Sequence, residues 1–439
     1  MGFMGKSSLL MGTWLALAGM SAMGAEGFSW GGDFRFRIEG LNHIPTDRPL
    51  NAEMYQLYTR DRTRLWAKYG FNADIDFFAR LANEFRFFDT SNGRQDPGTW
   101  RFLGEITPDQ FYVDARKIAN GWLDARLGRQ DFLYGTGKIL ADGTPLDGPR
   151  TFFADGARIT LNFAGHSLDL LGLYTAQQPQ PVINNQDTNL IESDQWAAGL
   201  YGKYHRFERV PFEYYWIFKH EDDTATSYKA MGRFVLADAN FSTFGFRVMP
   251  KIGDRVTGNL EVATQAGTHG EDEVNGTLVD SSLSYSPDIL AEFKPLLKIG
   301  YWFLSGNAPD STRNEGWHPV YGRQPQDNWG LLLGYTLVGS QYSLSGWSNF
   351  STPFVTLEAS PLKKTRLTLR YSWVGADQND GQGGGTGTDR GGLFFALFTF
   401  EISSQLKGHL WGEWFNPGDY YTDKARDDSY LRLNLEYSF

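Results

Sequence analysis

Cysteine is absent from this chain, and its absence excludes disulfide scaffolds, thiolate metal sites and cysteine nucleophiles. Beyond residue 26 the sequence also lacks a run of about 18 apolar residues, the length that a membrane-spanning helix needs. Histidine is scarce, with seven residues, and no Gly-x-Ser-x-Gly motif of a serine hydrolase is present. No nucleotide-binding motif or metal-ligand cluster stands out. We therefore expect no cofactor, no metal site and no nucleic-acid partner.

Aromatic residues and glycine are abundant instead. The 439 residues include 33 Phe, 21 Tyr, 14 Trp and 50 Gly. Mean hydropathy is only −0.40, so long apolar core helices are not expected. This combination favours a protein of many strands and many turns.

The N-terminus has the pattern of an export signal. A short positive region ends at Lys6, an apolar run follows, and Ala22-Met23-Gly24 offers small residues for signal peptidase. A single transmembrane anchor is the alternative, but the apolar run is short and breaks into small residues. The sequence therefore predicts a signal peptide over residues 1–25 and a mature domain over 26–439.

Apolar and polar residues alternate through most of the mature chain. In "DFRFRIE", 33–39, and in "YLRLNLEYSF", 430–439, every second residue is charged or polar and its neighbours are apolar. The two patterns span seven and ten residues, close to the length of about ten residues that a tilted strand needs to cross a bilayer. A soluble β-sandwich also alternates, so the pattern alone leaves both architectures open.

The connections between these segments alternate between short and long. Eight short ones lie near 70–72, 117–120, 164–165, 206–209, 250–254, 286–293, 361–364 and 403–405. Nine long ones cover about 41–54, 89–108, 131–152, 176–193, 221–240, 267–277, 304–350, 375–391 and 416–427. They predict an all-β, transmembrane antiparallel barrel of about 18 strands, with periplasmic turns and extracellular loops. Within 221–240, "MGRFVLA" could form a further strand.

In such a barrel the polar face of each strand lines a water-filled lumen. The predicted pore-lining cations are Arg35, Arg37, Arg62, Arg64, Arg80, Arg126, Arg158, Arg366, Arg370 and Arg432, with Lys68, Arg86, Arg247 and Lys298 beside them. Because the first and last strands are neighbours in a closed barrel, the arginines of residues 35–86 should lie near those of 366–432. A row of guanidinium groups would concentrate anions and pass them between shallow sites. The alternative is that these arginines pair with wall carboxylates and only fill the wall.

Two segments resemble the alginate-export family of outer-membrane porins. They are "RLGRQDFLYGTGKILADGTPLDGPRTFFADGARITL", 126–161, and "LLKIGYWFLSGNAPD", 296–310. The resemblance implies an eighteen-stranded barrel in the outer membrane of a Gram-negative bacterium, in contact with lipid. It also implies an arginine-lined pore for an anionic, uronate-type polysaccharide or oligosaccharide. Loops 131–152 and 304–350 are the candidates for folding into the pore, and periplasmic secretion partners stay open.

Three other functions are compatible with parts of the sequence. A general small-solute porin or uptake channel would share this architecture. An outer-membrane hydrolase could use Glu401 and Glu413, which flank one turn, as a glycosidase pair, although we expect wall residues and no enzyme. A secreted, soluble, lectin-like β-protein would need a core to cover the apolar rows.

Overall fold

Eighteen antiparallel strands form one closed barrel in the computed structural model of this protein. The structure describes residues 27–42, 55–91, 97–142, 153–184, 191, 193–222, 238–311, 313–321, 331–333, 348–381 and 383–439. The predicted signal peptide and "MGRFVLA" lie outside these residues. The strands are β1 Phe28–Asn42, β2 Tyr55–Gly70, β3 Ile75–Ser91, β4 Thr107–Lys117, β5 Leu123–Gln130, β6 Ala154–Phe163, β7 His166–Thr175, β8 Gln195–Tyr204, β9 Phe212–Glu221, β10 Ala239–Val248, β11 Val256–His269, β12 Thr277–Tyr285, β13 Leu296–Leu304, β14 Phe350–Ala359, β15 Thr365–Gly375, β16 Asp389–Glu401, β17 Leu406–Pro417 and β18 Asp428–Ser438.

Each strand pairs with its neighbours in the chain, and β1 pairs with β18 to close the ring. The closing register runs from Asp33 opposite Ser438 to Asn42 opposite Ser429. Gly32 and Phe439 extend it by exchanging two backbone hydrogen bonds of 3.1 Å and 3.0 Å. Closure gives every strand two partners, which a lipid environment requires because it offers no water to free backbone groups.

The connections confirm the predicted plan of short turns at one end and mostly longer loops at the other, although loop L6 is shorter than turn T6. The turns are T1 71–74, T2 118–122, T3 164–165, T4 205–211, T5 249–255, T6 286–295, T7 360–364 and T8 402–405. The loops are L1 43–54, L2 92–106, L3 131–153, L4 176–194, L5 222–238, L6 270–276, L7 305–349, L8 376–388 and L9 418–427. The start of β1 and the end of β18 lie at the same end of the barrel as the short turns. Outer-membrane barrels share this arrangement, so the turn end is periplasmic.

Short secondary elements inside the connections were not predicted. Thr99–Arg101 in L2 pairs with β3, and Phe132–Tyr134 pairs with Leu140–Asp142 within L3. Asp272–Val274 in L6 and Lys251–Ile252 in T5 both pair with β11. T2 contains a tight turn, Ile118–Gly121, in which Ala119 and Asn120 have positive φ, and T6 contains a 3-10 turn, Ala291–Phe293. Among the described residues, no helix has the length and apolar character needed to cross a bilayer.

The two faces of the wall differ as the alternation predicts. On β1, Arg35 and Glu39 are almost fully buried, at 1% and 0% exposure, whereas the outward Ile38 is 37% exposed. On β18, Leu431 is 58% exposed while the inward Arg432 is 3% exposed. The only other sheet in the described chain is the small L3 hairpin, so the outward apolar rows have no second sheet over them. The soluble sandwich is therefore the wrong architecture.

Exposed aromatic side chains lie near both rims of the barrel. Trp30, Tyr69 and Trp122 lie near the periplasmic turns, and Trp373 and Trp414 lie toward the extracellular loops. Aromatic belts at two levels mark the two lipid–water interfaces of a membrane barrel. The apolar outer rows between them face the hydrocarbon layer.

Candidate functional site in the barrel lumen

A buried network of charges lines the lumen where the first strand, β1, pairs with the last strand, β18. Its centre is Glu39 on β1, which accepts a hydrogen bond from the Tyr58 hydroxyl. Glu39 Oε1 also lies 3.2 Å from Arg432 Nε, 3.5 Å from Arg37 Nη1 and 3.7 Å from Arg60 Nη1. One carboxylate thus faces three guanidinium groups from β18, β1 and β2.

Three further carboxylates extend this network along the wall. Glu84 on β3 pairs with Arg35, and its other oxygen lies 2.8 Å from Arg60 Nε. Asp33 lies 2.8 Å from Arg64 Nε and 3.2 Å from Arg62 Nη2. The fourth carboxylate, Glu436, lies 3.6 Å from Arg62 Nη2. Six arginines therefore share four carboxylates, so this Glu39 network carries an excess of positive charge.

The other predicted arginines occupy separate positions around the lumen. Arg80 Nε lies 2.9 Å from Asp109, and Arg126 Nε lies 2.6 Å from Asp114. Arg158 contacts the hydroxyl of Tyr134 from L3. Arg80 lies on β3, the strand that also carries Glu84, whereas Arg126 and Arg158 lie on β5 and β6.

On the opposite flank of the Glu39 network lie the two predicted arginines of β15. Arg366 Nη2 is 2.6 Å from Glu358 on β14 and the side chain is partly exposed. Arg370 Nε donates to Thr356 Oγ1 at 2.9 Å, and its guanidinium lies over the Phe354 ring at 5.0 Å. Arg370 thus contacts a hydroxyl and an aromatic face on the neighbouring strand.

Part of this set meets in one open cavity at the periplasmic end, which we name the periplasmic cavity. Its volume is about 1030 Å³, and it is framed by T6, T7 and the first residues of β15 and β17. Eight cationic side chains line it, namely Arg37, Arg62, Arg64, Lys294, Lys363, Lys364, Arg366 and Lys407. Its lining acids among the described residues are Glu292, Glu401 and Glu436. The excess of positive charge in the Glu39 network therefore continues to the periplasmic mouth of the barrel.

The described part of L3 lies against lumen-facing side chains of the far wall. The Tyr134 ring packs on that of Tyr201 on β8, with centroids 4.4 Å apart and planes tilted by 36°, and its hydroxyl donates to Asp169 Oδ2 at 2.7 Å. Lys138 reaches β12, where Nζ lies 2.9 Å from Asp280 Oδ2. Phe132, Ile139 and Leu140, apolar side chains of the described part of L3, are buried inside the barrel.

The described parts of L7 also contact lumen-facing groups. Lys219 Nζ of β9 donates to the Val320 carbonyl at 2.5 Å, and the Gln265 amide bonds both backbone groups of His318 at 2.6 Å and 2.8 Å. L3 and L7 are joined by backbone bonds between Ala141 and Tyr321 and between Tyr321 and Ile139. Residues 143–152 of the predicted inward loop, and 322–330 and 334–347 of L7, lie outside the described residues.

A second contact anchors L7 to the strand on the opposite side. The amides of Leu331 and Leu332 donate to the Glu413 carboxylate at 2.5 Å and 2.9 Å, and Trp411 Nε1 donates to it at 2.7 Å. Glu413 is fully buried, at 0% exposure. L7 therefore has anchors on β9 and β11 and, across the lumen, on β17.

The structure places the two carboxylates of the hydrolase alternative in unlike surroundings. Glu413 is enclosed by L7 amides, whereas Glu401 is exposed at the rim, 3.9 Å from Lys364 Nζ. A glycosidase needs two carboxyl groups that face one substrate bond. Within the described residues, no group of three or more His, Asp or Glu side chains is arranged to hold a metal ion.

Besides the lysines of the periplasmic cavity, the predicted set omits Arg60, Lys219 and Lys138, which contact the wall or the inward loops. Arg60 follows the same alternation as Arg62 and Arg64, so extending the inward row of β2 by one step would have found it. Lys219 lies on the inward row of β9, and its alternation with His220 is the corresponding signal. Lys138 lies in a loop, where no periodicity indicates which wall it reaches.

A family model described as alginate export matches residues 28–388. No curated protein sequence matches the chain significantly. Solved structures of Pseudomonas aeruginosa are similar in fold at low sequence identity. OccK9 (OpdG) has a TM-score of 0.60 at 13% identity, covering 94% of this chain and 98% of that one. OpdK, solved with vanillate, has a TM-score of 0.57 at 12% identity with the same coverages, 94% and 98%.

OccK3 (OpdO) gives a TM-score of 0.56 at 13% identity, over 94% of this chain and 96% of that one. These likenesses establish a shared barrel fold, and the family match covers most of the chain. Together with the lipid-facing outer rows, they point to a channel rather than an enzyme. The chain therefore belongs to the alginate export family and is an outer-membrane β-barrel protein of the Gram-negative envelope.

Proposed function

We propose that this barrel is an anion-selective channel for carboxylated sugars, of which uronate-type oligosaccharides or polysaccharides are the leading class. The observation that carries the proposal is the charge of the periplasmic cavity, where eight Lys and Arg side chains face three Glu. The alginate export description of the family supports a polyuronate as the substrate class.

The pairing of the arginines with wall carboxylates fits a channel that releases its substrate rather than a site that retains it. Guanidinium groups stay charged at any physiological pH and match carboxylates with two parallel hydrogen bonds. An array of bare arginines would bind a polyanion too tightly to release it, whereas partial neutralisation by Asp33, Glu39, Glu84 and Glu436 weakens each site. Conduction needs binding that is favourable at the mouth and weak at each step.

The test is the reversal potential of single barrels in planar bilayers under a potassium chloride gradient. Wild type should prefer chloride over potassium. Arg366→Glu combined with Arg370→Glu should lower or reverse this preference, because it changes the charge of the wall beside the conducting path. The matched control is Arg206→Glu combined with Lys251→Glu, two exposed turn residues outside the cavity. A double variant with the wild-type reversal potential would remove Arg366 and Arg370 from the path.

A channel for small solutes in general is the second candidate, and one observation favours it. Eight of the ten arginines predicted from the sequence have a wall carboxylate within ion-pair distance, which weakens the field that a distant polyanion would meet. OpdK, one of the similar barrels, was solved with vanillate. Block of the chloride current by an oligouronate, without block by a neutral oligosaccharide of equal length, would favour the first candidate over the second.

A further inference from the structure

We propose that the periplasmic cavity is a docking site for one end of a carboxylated sugar chain, and that lysines of T6 and T7 make its first contacts. The inference rests on the proposed function and deepens it, since it assigns the recognition of the substrate to particular residues. The lysines are Lys294, Lys363 and Lys364. None of them is among the pore-lining cations that the alternation predicts.

The two turns form one framework rather than independent flaps. The Ser360 amide in T7 donates to the Phe293 carbonyl in T6 at 2.6 Å. Arg366 Nη1 donates to the Lys294 carbonyl at 3.1 Å. T7 is also closed on itself, because Thr365 Oγ1 accepts from the Leu362 amide at 3.0 Å. The backbone that carries the lysines is thus fixed by three different connections, so their side chains start from defined positions.

The lysines differ from the deeper arginines in their freedom to bind an added anion. Lys364 Nζ is 3.9 Å from Glu401, with both side chains about three-fifths exposed at 59%. For Lys294 and Lys363, the described residues place no carboxylate within ion-pair distance. Exposed lysines lose little by leaving a weak surface pair, and their flexible stems can follow carboxylates at varying positions. They suit a chain of repeated carboxylates better than a single fixed ligand.

Size and lining agree with this ligand class. A volume of about 1030 Å³ lies just above the range of about 300–1,000 Å³ found for sites of small ligands. A cavity of this size has room for more than one sugar unit. Phe293, Phe400 and Trp411 contribute apolar surface to the lining, which can contact the C–H faces of sugar rings while the lysines meet the carboxylates.

The cavity also connects the mouth to the buried network. Its lining runs from Lys363 at the rim to Arg37 on β1 and to Arg62 and Arg64 on β2. Arg62 and Arg64 share Asp33, and Arg37 contacts Glu39. A carboxylate that moves inward from the lysines thus meets arginines that are already partly neutralised, whereas the lysines at the rim are neutralised less.

The experiment measures binding of a fluorescent short oligouronate to the purified full-length barrel in detergent by polarisation. The test variant combines Lys294→Gln, Lys363→Gln and Lys364→Gln. The control removes the same charge from the periplasmic rim outside the cavity, through Arg206→Gln, Arg209→Gln and Lys251→Gln. Three exposed charge contacts should raise the dissociation constant roughly tenfold in the test variant, and the control should stay within about twofold of wild type.

Each outcome decides the point. Equal affinity of wild type and test variant, or equal loss in the control, overturns the docking site; so does equal binding of a neutral oligosaccharide. The reversal potential of the same proteins separates this failure from failure of the proposed function. A chloride-selective wild type with unchanged binding in the test variant refutes the site alone, whereas a cation-selective wild type refutes the proposed function itself. Heat-modifiable migration of all variants on gels verifies that each barrel is folded.

Discussion

Glu413 offers a direct test of how L7 is held in the lumen. Its carboxylate is fully buried and accepts the amides of Leu331 and Leu332 at 2.5 Å and 2.9 Å, besides Trp411 Nε1. Glu413→Ala removes the shared acceptor and leaves the two loop amides without it. We expect the 331–333 turn to detach from β17 far more often while the barrel itself stays closed.

The magnitude follows from the number of bonds lost. A hydrogen bond contributes about 1 kcal/mol net, and one to a charged acceptor about 1.5–3 kcal/mol, so the two loop bonds are worth about 2–6 kcal/mol. Since about 1.4 kcal/mol corresponds to a factor of ten, the detached fraction should rise at least roughly 30-fold. Glu413→Gln should lie between wild type and Glu413→Ala, because its amide retains one acceptor oxygen and turns two donors toward the loop.

Hydrogen–deuterium exchange of the detergent-solubilised protein, read from peptides that contain residues 331–333, is the assay. Protection of Leu331 and Leu332 should fall by the stated factor in Glu413→Ala. Glu358→Ala is the control, because Glu358 is a wall carboxylate whose ion pair is with Arg366 rather than with L7. Wild-type protection of these amides in a folded Glu413→Ala barrel would refute the assignment of Glu413 as the anchor of L7.

Three further outcomes follow from the same structure. Glu39→Ala should lower the free energy of unfolding by about 3–5 kcal/mol, since it strands buried arginines; urea titration followed by gel migration measures it, and an unchanged midpoint would contradict the network. Leu433→Arg on the lipid-facing row should cost about 2–4 kcal/mol in bilayer folding experiments, and a cost near zero would place that residue away from lipid. Lys138→Met should release L3 from Asp280 and increase current fluctuations in single-channel records; a steady wild-type trace would show that this contact does not hold the loop.

The barrel could be predicted from the sequence because its rules are local. Alternation on "DFRFRIE" and "YLRLNLEYSF" reports which side chains face lipid, and the structure shows the same rows outward and inward on β1 and β18. Turn residues identify all eight short connections, so the strand count followed. The extra short strands in L2 and L6 were missed, because each pairs only over three residues, too few for a period to be visible.

The arrangement of the lumen was less accessible. Alternation places Glu413 on the inward row but carries no information on the L7 amides that bind it from more than eighty residues away in the chain. Lys138 and its contact with Asp280 depend on the path of a loop, which turn chemistry does not determine. The lysines of T6 and T7 were absent from the predicted pore residues because turns have no inward or outward row. Only the folded structure shows that T6 lies beside T7 and that their lysines line one cavity.

The pairing of β1 with β18 has a consequence for the life of the polypeptide before it reaches the membrane. The first strand pairs with the last, and Gly32 bonds Phe439 beyond that register, so the barrel can close only after β18 has been synthesised. Until then the apolar outer rows have no lipid around them, and the backbone N–H and C=O groups on one edge of β1 have no partner strand. A chain in this state is prone to aggregate in water. The newly exported chain must therefore be kept apart from its copies until insertion, and a protein shortened by even its last strand should be degraded rather than assembled.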